Sequence, residues 1–258
     1  MRKLGPVIAT VVIIAAGIFG VIAVAYFRHH NADQITRANA LAADLQKLTV
    51  GTSDFKAARA IATKFGTVPY ENDWGTRDCA NGYFERCAYM IPLNSGAMRK
   101  LLLKHPFLSH LGVGDWSGTA QIYIENGIIK QYSLGIIYRA SNGQLRGLAA
   151  EEGILLPENR AVQAHISDAY SVQRNDILAG DKPRDVGFEL EASLTPMASA
   201  AERKRAWNLN FACLVQNRGC GEICDVMPDA WRDFYVRRGH FDVEKYGPAY
   251  LFCKNPAP

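Results

Sequence analysis

Residues 119–134 read Thr119-Ala-Gln-Ile-Tyr-Ile-Glu125, Asn126-Gly127, Ile128-Ile-Lys-Gln-Tyr-Ser-Leu134. Apolar residues alternate with polar ones on both sides of an Asn-Gly pair. Asn and Gly are the residues that adopt positive φ at least cost, so the stretch predicts two antiparallel strands joined by a type I′ turn. Asn142-Gly143 repeats the turn signal, and residues 136–139 and 145–148 are expected to extend a meander. Before the hairpin, residues 89–93 read as a strand. After it, Val162, Ala164 and Ile166, and then Phe188, Leu190, Ala192 and Leu194, alternate with polar residues and predict two more half-buried strands.

The flanks of this sheet have helical periodicity. Ser53 is placed to cap a helix with Phe55, Ile61, Ala62 and Phe65 on one face and Gly66 as its stop. Asn94 or Ser95 is the expected cap of a short helix through Lys104, ended by Pro106. Thr195-Pro196 is expected to open a helix through Trp207, since Pro at the first helical position after a Thr cap is a start signal. Short helices are expected over residues 222–226 and 228–237. Helices, then a sheet, then helices define an α+β fold, a mostly antiparallel sheet with helices packed on one face.

An N-terminal transmembrane helix is expected ahead of that domain. Residues 5–27 form an apolar run free of charge, with Lys3 before it and Arg28 after it. At about 1.5 Å per residue the run matches a hydrocarbon core of roughly 30 Å. A cleaved secretory signal is the competing reading, with Ala23-Val24-Ala25 as the peptidase site, although a signal's apolar region spans only about 7 to 15 residues. Arg2, Lys3 and the terminal amine precede the run, and the positive-inside tendency then keeps the N-terminus cytoplasmic. The expected organisation is a cytoplasmic segment 1–4, a signal-anchor 5–27 in the lipid bilayer, a juxtamembrane amphipathic helix 28–50 and an extracytoplasmic domain 51–258. In the amphipathic stretch Ile35, Ala38, Leu41, Leu45 and Leu48 fall at three- and four-residue steps. Two heptads are short for a coiled coil, so packing onto the domain is expected over dimerisation.

Six cysteines, Cys79, Cys87, Cys213, Cys220, Cys224 and Cys253, all lie after the apolar run. An even set on one side of a membrane reads as a disulfide framework in an oxidising compartment, here a bacterial cell envelope. Cys79 and Cys87 flank the Asn81-Gly82 turn and are expected to pair. For the others the expectation is Cys213–Cys220 with Cys224–Cys253, on the premise that Cys220 and Cys224 share a helical face, and the crossed version stays open. Only Cys220-x3-Cys224 has zinc-ligand spacing, and neither Cys-x-x-Cys nor Cys-x-x-Cys-His occurs, so no metal and no cofactor are expected.

Composition bears on function mainly by exclusion. Leaving out Arg2 and Lys3, the 29 basic residues of the chain become 27 against 25 acidic ones. Arg203-Lys204-Arg205 is a short patch beside Glu202 that reads as a solvated helix face, and no nucleic-acid partner is expected. Candidate catalytic groups are His110 with Asp115, His165 with Asp168, and His240 with Asp242, none of which shows a full constellation. Glu71, Asp73 and Asp78 lack the regular spacing of a calcium loop. Tyr70, Trp74, Tyr83 and Phe84 crowd around the first cysteine pair, as a contact surface or as a covered core edge. No hydrolase elbow, zinc-protease, phosphate-loop or dinucleotide motif is present. The expected function is therefore a membrane-anchored binding or interaction domain, its partner another envelope protein or a second copy of the chain. The alternatives are an envelope hydrolase with an unfamiliar site and a small-ligand carrier.

Overall fold

Seven strands form one mixed sheet in the order β1-β2-β3-β4-β5-β7-β6. They are β1 Arg77–Asp78, β2 Arg86–Leu93, β3 Trp116–Glu125, β4 Ile128–Arg139, β5 Leu145–Gly153, β6 Tyr170–Leu178 and β7 Val186–Leu194. The computed structural model describes residues 4–70, 76–82, 85–94, 116–140, 145–154, 169–178, 186–215 and 220–237. Within these ranges it does so without the side chains of residues 4–13, 16, 27–28, 175–178, 186, 215 and 235–237. β2 to β5 pair antiparallel in sequence order, and the two Asn-Gly signals predict the β3–β4 and β4–β5 pairings among these. At the first of these, Asn126 and Gly127 hold φ of 52° and 78°, the left-handed pair that a type I′ turn requires. The second, Asn142-Gly143, lies outside the described residues, although the strands on either side of it pair.

Two pairings are parallel, β1 with β2 and β5 with β7. β7 inserts between β5 and β6, so the chain passes over one position after β5 and returns antiparallel. The strand expected at Val162, Ala164 and Ile166 lies outside the described residues. β6 begins after it at Tyr170, in a stretch where polar residues obscure the period. Gly187 permits the close approach of β7 to β5, since a Cβ there would stand 2.4 Å from the Leu145 carbonyl oxygen.

One face of the sheet is apolar. Ile91, Ile122, Ile124, Leu134, Ile136, Leu148 and Leu190 are all fully buried on it. Each such side chain contributes about 1.5–3 kcal/mol relative to exposure. The second half of helix α1, Leu4–Leu45, packs against β2 and the Ala212–Val215 turn and buries Ile35, Ala38, Leu41, Ala42 and Leu45. The amphipathic stripe thus seats on the domain. Helix α2, Phe55–Phe65, adds Ala58, Ile61, Ala62 and Phe65. Its cap is Asp54, whose carboxylate accepts from the Ala57 amide at 2.9 Å, and not Ser53, whose hydroxyl accepts from Thr49. An ionised carboxylate is the stronger partner for the helix-start amides.

Three short helices cover β5 to β7: α3 Ala200–Ala206, α4 Ile223–Val226 and α5 Pro228–Arg237. α3 starts later than Thr195-Pro196 suggests. Ser199 and Glu202 form a reciprocal capping box, while Thr195 is occupied with the Met197 amide. The helix expected after Asn94 lies outside the described residues.

The first half of α1 stands away from the domain, with Ile14, Ile18, Phe19, Val21, Ile22 and Tyr26 between 57% and 74% exposed. Among the described residues no helix is long and apolar enough to cross a membrane. The expected anchor is therefore not shown by the structure.

Disulfides Cys79–Cys87 and Cys213–Cys220 form as expected. The premise for the second was wrong, because Cys220 precedes the α4 helix and shares no helical face with Cys224. Cys224 is also disulfide-bonded, and no described cysteine is free. Cys253, its expected partner, lies outside the described residues.

Candidate functional site

The strand period that buries Phe188, Leu190, Ala192 and Leu194 directs Glu189, Glu191 and Ser193 to the opposite face of the sheet. Register places Ser193 beside Glu151, and Glu191 between Ala149 and Gln173. A polar chain runs across four strands there. Gln131 donates to Glu151 at 3.1 Å, and the Ser193 hydroxyl lies 3.0 Å from Glu151 and 3.2 Å from Glu191. Gln173 donates to Glu191 at 3.0 Å. Burial, then the neighbouring Glu191 charge, pushes the Glu151 carboxyl up to about 7. Glu189 is raised for the same two reasons in the same order. Glu151 therefore keeps its proton up to near neutral pH, with Ser193 bridging it to Glu191.

Glu152, next in the strand, points into the helix-covered face and is 1% exposed. Arg203 of α3 donates to both of its carboxylate oxygens, at 3.0 and 2.8 Å, and the Tyr132 hydroxyl donates at 2.9 Å. Burial, followed by the Glu152 charge, raises the Tyr132 phenol and keeps it a donor. The Arg203-Lys204-Arg205 patch is thus not a purely solvated face. Arg203 holds a buried carboxylate, and Arg205 pairs with Asp233 at 2.8 Å.

A second feature lies at the other end of the molecule. A cleft of about 430 Å³ opens between α2, β2 and the turn of the first disulfide, within the range of small-molecule sites. Phe55, Arg59, Ala62 and Thr63 of α2 form one wall, Gly66 and Thr67 its end, and Cys79, Ala80, Gly82 and Tyr89 the other wall. The Phe55 and Tyr89 rings lie 6.0 Å apart. Asp78, next in the chain to Cys79, accepts from the Ala80 amide at 2.9 Å through its carboxylate and caps the Cys79–Asn81 turn. Burial raises the Tyr89 phenol, with Arg59 opposing and Asp78 adding to the shift.

Of the candidate residues read from the sequence, Tyr70 is half-buried near this cleft, and Asp78 is the turn cap just described. Trp74, Tyr83, Phe84, Glu71, Asp73, His110, Asp115, His165, Asp168, His240 and Asp242 lie outside the described residues. Among the described residues no group of three or more His, Cys, Asp or Glu is arranged to hold a metal ion. Sequence reasoning missed the Glu151–Glu191 pair, although the Glu189-x-Glu191-x-Ser193 alternation was its signal. The cleft had a partial signal in the aromatic residues around Cys79. Compared with family models, with curated proteins and with solved structures, the chain matches none.

Proposed function

We propose that the chain is a single-pass membrane protein whose extracytoplasmic domain acts by binding, its partner an envelope protein or a second copy of the chain. The cleft between α2 and β2 carries this reading. It has the size of a recognition pocket, and the described ionisable groups that line it, Arg59 and Tyr89, do not make a general acid–base pair at neutral pH. The anchor is supported by the uncharged run 5–27 and by the exposed apolar side chains on the first half of α1. The oxidising compartment is supported by the disulfides. A photo-crosslinking amino acid at Thr63, on the cleft wall, tests the reading in intact membranes. One adduct of discrete mass is expected, absent when the crosslinker sits at Lys204. No adduct at Thr63, together with a strictly monomeric chain in detergent, overturns it.

A second reading, an envelope hydrolase, is favoured by Glu151, whose carboxyl is pushed up to about 7 beside a second carboxyl group, Glu191. It requires that Glu151→Gln and Glu191→Gln each abolish turnover of an ester, peptide or glycoside by the full chain. Absence of turnover by the unaltered chain across such a panel removes it.

A further inference from the structure

We infer that the cleft between α2 and β2 binds its ligand by a carboxylate, with the Arg59 guanidinium as counter-charge. The inference rests on the binding reading and names the chemistry of that site. Arg59 is exposed at the cleft wall and makes no ion pair or hydrogen bond with the protein among the described residues. Among the described residues no carboxylate lines the cleft, and Asp78, next in the chain to Cys79, is turned to the Ala80 amide. Arg59 is thus the one charged side chain among the described lining residues, beside neutral donors, with the Asp78 charge acting on Tyr89 from outside the lining. The Tyr89 phenol, raised by burial, stays protonated and can donate, as can the hydroxyls of Thr63 and Thr67.

The count of charges selects the anion. A planar guanidinium matches a carboxylate with two parallel hydrogen bonds and balances its single charge. A phosphate dianion is left half neutralised. The start of α2 offers it no further help, because Asp54 already occupies the helix-start amides with a negative group. The rest of the lining is mixed, with the Phe55 ring beside glycine and alanine backbone, and Ala62 and Cys79 buried behind it. The Phe55 ring favours an acid that carries an aromatic group. A volume of about 430 Å³ admits one such group and not a folded partner. On the binding reading the carboxylate is the C-terminus of a partner chain inserted into the cleft, and a response to the free small acid alone would make the cleft a small-ligand pocket.

The test is a titration of the full chain in detergent, followed by NMR of the labelled protein. Two acids, 3-phenylpropionate and the peptide Gly-Gly-Gly-Phe, are each compared with the corresponding amide. At least one acid is expected to bind about tenfold or more tightly than its amide, with shifts at Thr63, Thr67 and Ala80. Arg59→Gln, a change at an exposed position, is expected to erase the difference between acid and amide, and Lys204→Gln, at an exposed position of α3, to leave it intact. Which acid responds separates a chain terminus from a small ligand. Equal binding of acid and amide, or no shift at the cleft with either acid, overturns the carboxylate assignment. A surviving Thr63 crosslink in that case leaves the binding reading standing, whereas loss of both removes both.

Discussion

Glu151 and Glu152 are consecutive residues of β5, and the two faces of the sheet treat their carboxyl groups in opposite ways. On the helix-covered face Glu152 loses nearly all contact with water, and Arg203 and Tyr132 replace it with charge-assisted hydrogen bonds. On the other face Glu151 is half-buried among Gln131, Ser193 and Glu191, with amide and hydroxyl donors but a second acid as its nearest charge. A buried carboxyl is tolerated in two ways, by meeting a cation or by keeping its proton. β5 uses both, one residue apart. The first way locks a helix to the sheet, and the second leaves a group that titrates near neutrality.

The strongest way to break this contrast is Arg203→Met. It strands a buried carboxylate, so unfolding by urea is expected to show a loss of about 3–5 kcal/mol at neutral pH. Adding Glu152→Gln to that variant is expected to recover much of the loss. No recovery would mean that Arg203 acts through packing and its contacts to the Ala198 and Pro196 carbonyl oxygens.

Glu151→Gln probes the other side of the comparison and has the opposite sign. The folded protein holds the Glu151 proton up to about pH 7, whereas the ordinary value is 4.5. Between these values unfolding releases a proton, so the Glu151 contribution to stability is full at low pH and declines as pH rises through about 7. The shift corresponds to a total of roughly 3 kcal/mol. The variant is expected to gain stability of this order at pH 8, to match the parent near pH 4, and to flatten the profile between. A parallel offset at all pH values would contradict the raised Glu151 carboxyl.

A polar group with neither remedy lies at the end of the core where α1 enters. Asn31 is 1% exposed, and among the described residues neither its amide nitrogen nor its oxygen has a hydrogen-bond partner. Asn31→Leu is expected to stabilise the domain by about 1–2 kcal/mol in thermal melts, since an unpaired buried amide carries its full desolvation penalty. A destabilised variant would place a solvent molecule or a ligand group on Asn31. The smallest effect is expected at Arg205→Ala. The Asp233 pair there is one-third exposed on the arginine side, and such pairs contribute about 0–1 kcal/mol.

Much of the fold was legible because strand period and turn chemistry act locally. Asn126-Gly127 fixes a turn through the φ values of two residues, and the apolar halves of β3, β4 and β7 could be read directly. The capping errors arose where two acceptors compete for the same helix start, as Ser53 and Asp54 do, or Thr195 and Ser199. β6 escaped because Gln173, Arg174, Asn175 and Asp176 hide its alternation, and the parallel β5–β7 pairing is a long-range choice that no local signal encodes. The site was harder to read. The Glu151–Glu191 pair exists only through register between strands 40 residues apart in the chain. The cleft depends on how α2 sits over the first disulfide, which the crowded aromatic residues hinted at without locating Arg59.

The compartment is the claim on which the binding reading rests, and trapped thiols test it most directly. Intact cells expressing the chain are quenched with a membrane-permeant alkylating agent, and the digest is analysed by mass spectrometry without reduction. Peptides joined through Cys79–Cys87 and Cys213–Cys220, and none alkylated at these positions, are the predicted result. Recovery of these cysteines as alkylated free thiols would place the domain in a reducing compartment and contradict the account.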